Sequence, residues 1–260
     1  MFKLVVTDID GTLMNDSSEV PEEIFDLIQL LQLQNVKFAV ASGRQIKDLK
    51  KIFKGLNDVC YIAHNGSYVE FGGAELRNLA IPENSIEEII QIAYRYNLFP
   101  MFYTNDAILI QDDDTRFISK LNTYKVTYTY TSKINLSGEI GKVSLMSLDD
   151  NASNFKDKFS SLSDLDTYVS CKDLIDINLA NCNKGTALAL VQETMGILPK
   201  ETISFGDAEN DISLFKNSGL SYAMMNAPLS VKQYADQIAP SNNHKGVITV
   251  LSDILKALQS

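Results

Sequence analysis

Apolar residues fall into two kinds of pattern along the chain, and the switch between them marks its organisation. Lys3–Thr7 (KLVVT) is a short β-branched run that stops at Asp8. It predicts a buried strand opening into a loop. After Pro21, Ile24, Leu27, Ile28 and Leu31 recur at helical spacing. Lys37–Ala41 (KFAVA) predicts a second buried strand, ended by Ser42-Gly43-Arg44. A lysine-rich helix is expected from about Ile46 to Phe53, with Leu49, Ile52 and Phe53 on one side, and a third strand at Cys60–Ala63. Strand–helix–strand alternation favours a parallel sheet with helices on both faces.

The pattern changes after about Leu79. Pro82–Tyr96 reads as a helix, followed by short strands at Phe99–Tyr103, Ala107–Gln111, Lys125–Thr131 and Lys142–Leu148. In the third of these, Val126, Tyr128 and Tyr130 alternate with threonines, the period of a half-buried strand. A helix over Asn151–Leu162 and strands at Val169–Cys171 and Leu174–Asn178 complete a block that reads as α+β with an antiparallel sheet. From Asn183 the first pattern resumes. Helix Lys184–Met195 is closed by Gly196, and strand Thr202–Phe205 ends at Gly206-Asp207. Helix Ala208–Asn217, strand Ser221–Met225 and helix Gly246–Leu258 follow. The simplest organisation is an α/β core from residues 1–80 and 184–260, with a domain inserted at 81–183.

Composition narrows the classes. With 260 residues, 45% hydrophobic and 22% charged, the chain can bury a sizeable core without staples. A net charge of −10 disfavours broad binding to nucleic acid or anionic membranes. A phosphorylated ligand would need a local cation or metal to offset that field. No apolar stretch approaches the ~20 residues of a membrane helix, and the start of the chain does not read as a signal peptide. Cys60, Cys171 and Cys182 are scattered, which fits free thiols in a reducing cytoplasm.

Ligands of open α/β sheets bind at the carboxyl ends of strands. Three expected strands end in Asp8-Ile9-Asp10-Gly11-Thr12, in Ser42-Gly43-Arg44, and in Gly206-Asp207 with Asn210-Asp211 beyond; Lys184-Gly185-Thr186 starts a helix. A parallel sheet would gather these at one edge. Converging carboxylates repel one another, and Mg2+, which takes oxygen ligands, relieves that repulsion. Lys184 and the Ser42 hydroxyl can hold phosphate oxygens, and the Gly43 N–H can approach closely. Two carboxylates two residues apart can divide attack from proton transfer. Phosphoryl transfer asks mainly for such positioning and charge neutralisation.

Taken together, these motifs resemble the haloacid dehalogenase-like hydrolases, in particular the Cof-type phosphatases with a C2-type cap. Asp8-Ile9-Asp10-Gly11-Thr12-Leu13, Ala41-Ser42-Gly43-Arg44, Asn183-Lys184-Gly185 and Gly206-Asp207-Ala208-Glu209-Asn210-Asp211 match its four motifs in order, across essentially the whole chain. The resemblance implies a Rossmann-like parallel-sheet core with an inserted α+β cap domain. It also implies a Mg2+-dependent phosphatase acting on small phosphorylated metabolites, such as sugar phosphates, through an aspartyl-phosphate. Asp8 would be nucleophile and metal ligand. Asp10 would be the general acid/base, with its main-chain carbonyl on the metal, and Thr12 would hold its carboxylate. Ser42, Gly43, Lys184 and Asn210 would lie at the phosphate, Asp207 would be a metal ligand, and Asp211 would orient metal-bound water. A phosphomannomutase-type mutase and a phospho-accepting signalling module are the competing classes.

Some residues stay open at this level. Arg44 could meet substrate or make a salt bridge. His64-Asn65-Gly66 could be a plain turn or a loop facing the cap. Asp112-Asp113-Asp114 reads as a solvated turn, and Tyr124, Tyr128 and Tyr130 as part of a packed sheet.

Overall fold

The computed structural model describes residues 1–124, 126–134 and 139–259, the last three by backbone alone. The chain begins with β1 (Leu4–Thr7), α1 (Glu23–Leu33), β2 (Lys37–Ala41), α2 (Ile46–Ile52) and β3 (Val59–Ala63), then a hairpin of β4 (Tyr68–Phe71) and β5 (Ala74–Asn78). The middle block runs α3 (Glu83–Arg95), β6 (Phe99–Tyr103), β7 (Ile108–Ile110), α4 (Thr115–Thr123), β8 (Tyr128–Tyr130), β9 (Lys142–Met146), β10 (Leu165–Cys171) and β11 (Leu174–Leu179). The last part is α5 (Lys184–Met195), β12 (Thr202–Gly206), α6 (Ile212–Lys216), β13 (Leu220–Met224), α7 (Leu229–Lys232), β14 (Gln237–Ala239) and α8 (Gly246–Gln259).

Two sheets result. The first has the order β14-β13-β12-β1-β2-β3-β4-β5. It is parallel from β14 to β3, and the β4–β5 hairpin extends it antiparallel. Strand alternation sends side chains to opposite faces. Val5, Phe38 and Val40 pack against apolar residues of α1, α2 and α8, while Leu4, Val6 and Ala39 pack against Leu188 and Val191 of α5 and Leu214 of α6. Both faces are covered, so the strands are almost wholly apolar.

The second sheet has the order β10-β11-β9-β6-β7-β8. One face, with Phe102, Val143, Leu145, Ile175 and Ile177, buries Ile86 and Ile89 of α3. The other carries Met101, Tyr103 and Met146 with Phe117 and Leu121 of α4. No helix among the described residues is long and apolar enough to cross a membrane.

Several expectations need correction. The second sheet is not wholly antiparallel, because β7 and β8 pair parallel across the α4 crossover. Helix α4 was not expected; the Asp112-Asp113-Asp114 segment, read as a solvated turn, leads into it. Its start is fixed by Asp114, whose side chain accepts from the N–H groups of Arg116 and Phe117, an N-cap. Ala152–Phe159 is 3₁₀ rather than α; only Ala152 and Phe159 are buried, too narrow an apolar face to hold an α-helix in place. Ala208–Asn217 splits into a 3₁₀ turn at Glu209–Asp211 and the short α6, because the Asp211 carboxylate draws back the N–H groups of Asp207 and Ala208, both at 3.0 Å. The β4–β5 hairpin turns on Gly72-Gly73, both at positive φ, a signal present in the sequence and not used. The expected strand at Lys125–Thr131 shortens to Tyr128–Tyr130, with Lys125 outside the described residues.

Candidate active site

Parallel pairing puts the carboxyl ends of β1, β2 and β12 side by side, and Asp8, Ser42 and Asp207 emerge there. Lys184 is the first residue of α5. Asn183 caps that helix by accepting from Thr186 N–H at 3.0 Å, while the Thr186 hydroxyl accepts in return from Asn183 N–H at 3.2 Å. This fixes where the lysine leaves the backbone.

Lys184 is 1% exposed and donates to Asp8 Oδ1 and to Asp211 Oδ1, each at 2.6 Å. Asp8, Asp207 and Asp211 each offer an oxygen within 4.8 Å of the others. One ammonium therefore faces three carboxylates. Burial raises the Asp8 carboxyl well above its ordinary value, and the neighbouring Asp211, Asp207 and Asp10 raise it further against the opposing pull of Lys184. Burial and Asp211 likewise push Asp207 up to about 7. Burial would discharge Lys184, but the two carboxylates outweigh it and hold the charge.

Backbone geometry makes room for this crowding. Gly11 has φ +76°, and a Cβ there would come within 2.4 Å of Asp207 Oδ2. Only glycine fits that turn beside that carboxylate. The turn also redirects Thr12. The resemblance sets Thr12 against Asp10, but its hydroxyl donates to Asp207 Oδ1 at 2.8 Å. Asp211 is fully buried and occupied by Lys184 and two main-chain N–H groups. It anchors the lysine and the loop. Asp10 stands apart from the carboxylate cluster. Its side chain is 56% exposed, and Arg44 grips it through Nε at 2.8 Å and Nη2 at 2.6 Å.

Ser42 is buried, and its Oγ accepts from Arg44 N–H at 3.1 Å. Asn210 Nδ2 donates to Asn65 Oδ1 at 3.0 Å, and the Asn210 side-chain Oδ1 is buried with no partner among the described residues. Asn65 donates in turn to Asp176 Oδ2 at 2.9 Å and Asn178 Oδ1 at 3.2 Å. His64-Asn65-Gly66 is therefore a loop facing the second sheet, with His64 and Asn65 at positive φ. Glu209 pairs with Lys156 and accepts from Val169 N–H at 3.3 Å, a further tie between the two units.

Between the two sheets lies a cavity of about 350 Å³. Asp8, Asp10, Ser42, Gly43, Arg44 and Asn210 line its floor, and Tyr103, Lys142, Ser144 and Asp176 its roof. Sequence reasoning missed the roof. The available signal was Asp176 and Asn178 inside Leu174–Leu179 (LIDINL), two polar residues that alternate with isoleucines and so share one face of the strand.

The chain as a whole also matches known proteins. The family model of haloacid dehalogenase-like hydrolases matches residues 5–251. The chain is 27% identical over 262 residues to 5-amino-6-(5-phospho-D-ribitylamino)uracil phosphatase YbjI of Escherichia coli, covering 98% of this chain and 96% of that one. The crystal structure of SMU.1108c from Streptococcus mutans superposes with a TM-score of 0.91 at 23% identity, covering 98% and 100% of the two chains. TM0651 from Thermotoga maritima superposes with a TM-score of 0.80 at 29% identity, covering 97% of each. With four motifs at one sheet edge and a family match over nearly its whole length, the chain belongs to the haloacid dehalogenase-like hydrolase family, in its phosphatase branch.

Proposed function

We propose that this enzyme is a magnesium-dependent phosphatase for small phosphomonoesters, with Asp8 as nucleophile and the unit on the second sheet as a cap. The observation that carries the reading is the buried Asp8 carboxylate, steered by Lys184 at the floor of the cavity.

The donor set fits the metal. It is all oxygen, it is crowded, and its carboxyls are raised by mutual repulsion, which a divalent cation would relieve. Asp8, Asp207 and the Asp10 main-chain carbonyl would hold it, with Asp211 already engaged by Lys184. When bound, Mg2+ supplies positive charge that screens the phosphate from the attacking carboxylate.

The chain's own residues do the rest. A carboxylate oxygen of Asp8 attacks phosphorus, and the ester P–O bond breaks as Asp10 delivers a proton to the leaving oxygen. Asp10 then takes a proton from water, which attacks the aspartyl-phosphate at phosphorus and frees Asp8 and inorganic phosphate. Lys184, the Ser42 hydroxyl and main-chain N–H of the Ser42-Gly43 loop stabilise the charge on the transferring oxygens. Arg44 holds both Asp10 oxygens in the free site, so Asp10 must let go of Arg44 and take up a proton from solvent before it can serve the leaving oxygen. The cap roof keeps bulk water from the transfer step. No observation here favours a mutase.

The test is phosphate release from a generic phosphomonoester with Mg2+. Asp8→Asn and EDTA should each lower turnover by at least about a thousandfold. Activity retained in Asp8→Asn would remove the nucleophile assigned here.

A further inference from the structure

Asn65 is the point where three segments meet. It is fully buried and has φ +57°, a backbone conformation that asparagine tolerates better than most residues. Its main-chain N–H donates to Ser42 O at 3.0 Å, and His64 N–H donates to Arg44 O at 3.0 Å. These bonds pin the turn after β3 to the loop after β2. From the second sheet, Asn178 of β11 donates to His64 O at 2.8 Å. A Cβ built on Gly43 would lie 3.1 Å from Asn65 Oδ1 and 3.3 Å from Asp176 Oδ2. The bare glycine therefore lets this turn and β11 close on the Ser42-Gly43 loop.

The second sheet also decides which way the Asn65 amide points. A side-chain amide can present nitrogen or oxygen, and its partners select. Burial alone would raise the Asp176 carboxyl, but Lys142 and its hydrogen-bond donors outweigh burial and hold it below its ordinary value. A carboxylate only accepts, so Asn65 gives it Nδ2, at 2.9 Å. Asn178 makes the same demand independently. Its Nδ2 is spent on His64 O, Ser67 Oγ and Gly141 O, so it offers Oδ1, which Asn65 Nδ2 meets at 3.2 Å. Both N–H groups of Asn65 are thereby used, and its Oδ1 is left for the first sheet's loops. Asn210 answers it with Nδ2 at 3.0 Å.

Hydrogen-bond polarity thus passes from β11 to the cavity floor, which Asn210 shares with Asp8, Ser42 and Gly43. Asn65 takes one of the two Nδ2 hydrogens of Asn210, and the other remains. A phosphoryl group within reach of Asp8 offers acceptor oxygens to this floor, so an N–H serves it and an amide oxygen repels it.

We propose that Asn65 is a positioning residue for phosphoryl transfer. Ordered by Asp176 and Asn178 of the second sheet, it turns the Asn210 amide so that an N–H, and not the oxygen, stays beside the Ser42-Gly43 loop for a phosphoryl oxygen. It acts only through Asn210. This rests on the phosphatase reading above and adds how the second sheet conditions the floor.

The experiment is a double-mutant cycle on the Kd of inorganic phosphate, read by calorimetry with Mg2+ present. Release of phosphate from p-nitrophenyl phosphate is followed alongside, and kcat/KM should obey the same cycle. Asn65→Gly suits the positive φ and removes the amide. It should weaken phosphate binding about tenfold, the usual consequence of losing a hydrogen bond to a charged group, and so should Asn210→Ala. The double variant should stay within about twofold of Asn210→Ala, because Asn65 then has nothing to position. Asp176→Asn keeps an oxygen for Asn65 and, as a milder change, guards against a folding artefact; it should weaken binding no more than about threefold. Losses that multiply to about a hundredfold in the double variant would show that Asn65 acts by another route and overturn the proposal. So would wild-type affinity in a folded Asn65→Gly, or a loss in Asp176→Asn as large as in Asn210→Ala. A wild type that binds phosphate yet releases none from p-nitrophenyl phosphate would overturn the phosphatase reading, while the cycle still decides the coupling of Asn65 to Asn210.

Discussion

His64 offers a sharp test of how the second sheet packs on the first. It is 1% exposed, its Nε2 has no partner among the described residues, and Lys142 lies nearby. Burial first, and the Lys142 charge second, push the imidazole from its ordinary 6.5 down to about 3. Above pH 6.5 the ring is neutral in both folded and unfolded chains and makes no pH-dependent contribution. Below it, the unfolded chain takes up a proton that the folded chain refuses until about pH 3, so stability falls as pH falls. At about 1.4 kcal/mol per pH unit, the loss from pH 6.5 to 5.0 is about 2 kcal/mol. For a chain of this size that lowers Tm by about 4–8 °C. Asp207, raised to about 7, works in the opposite sense. It is present in both wild type and His64→Asn, so it cancels when their melting curves are compared at pH 7.5, 6.5 and 5.0. Asparagine is chosen because it tolerates the positive φ at residue 64. Any cavity it leaves lowers Tm equally at every pH. The wild type should lose about 4–8 °C more than the variant across the acidic step. Parallel pH profiles would refute the buried neutral imidazole.

Other consequences follow from the same geometry. Lys184→Met strands Asp8 and Asp211 without their buried cation, and urea unfolding should show a loss of about 3–5 kcal/mol; a loss below about 1 kcal/mol would mean that the carboxylates were never ionised together. Because Asp207 is held near 7, Mg2+ must displace its proton in acid. Asp8 is raised as well, so the calorimetric affinity should fall at least about tenfold per pH unit below 7, and a flat affinity would refute the assignment. Glu209→Gln breaks the ion pair with Lys156, in which the two side chains are 39% and 34% exposed. Stability should drop by only about 1 kcal/mol or less in thermal melts, and a drop beyond about 3 kcal/mol would show that the pair is far less screened than its exposure implies.

How much was legible in the sequence depended on how local the signal was. Strands β2, β3 and β6 and helices α3 and α5 announced themselves through apolar period, caps and glycine stops, all of which act within a few residues. The four motifs were equally legible, because Asp8, Ser42, Lys184 and Asp207 each sit at an element boundary where strand alternation or helix period breaks off. Hydrogen-bond geometry that closes over distance was not. Nothing within a few residues of Thr12 indicates that its hydroxyl seeks Asp207, 195 positions away, instead of Asp10. The α4 crossover and the parallel β7–β8 pairing depend on where a strand finds a neighbour, which periodicity does not encode.

The sequence by itself determined the two sheets' apolar strands and the reactive groups at the carboxyl ends of the first. Backbone sterics and burial enforce those patterns along a single stretch of chain. Only the tertiary structure decided that one lysine is shared by Asp8 and Asp211, that Arg44 takes Asp10, and that Lys142 and Asp176 close over the Ser42-Gly43 loop. Charge pairing of this kind is settled by distances of a few ångströms between segments 27 to 176 residues apart. Those distances exist only once the layers have packed.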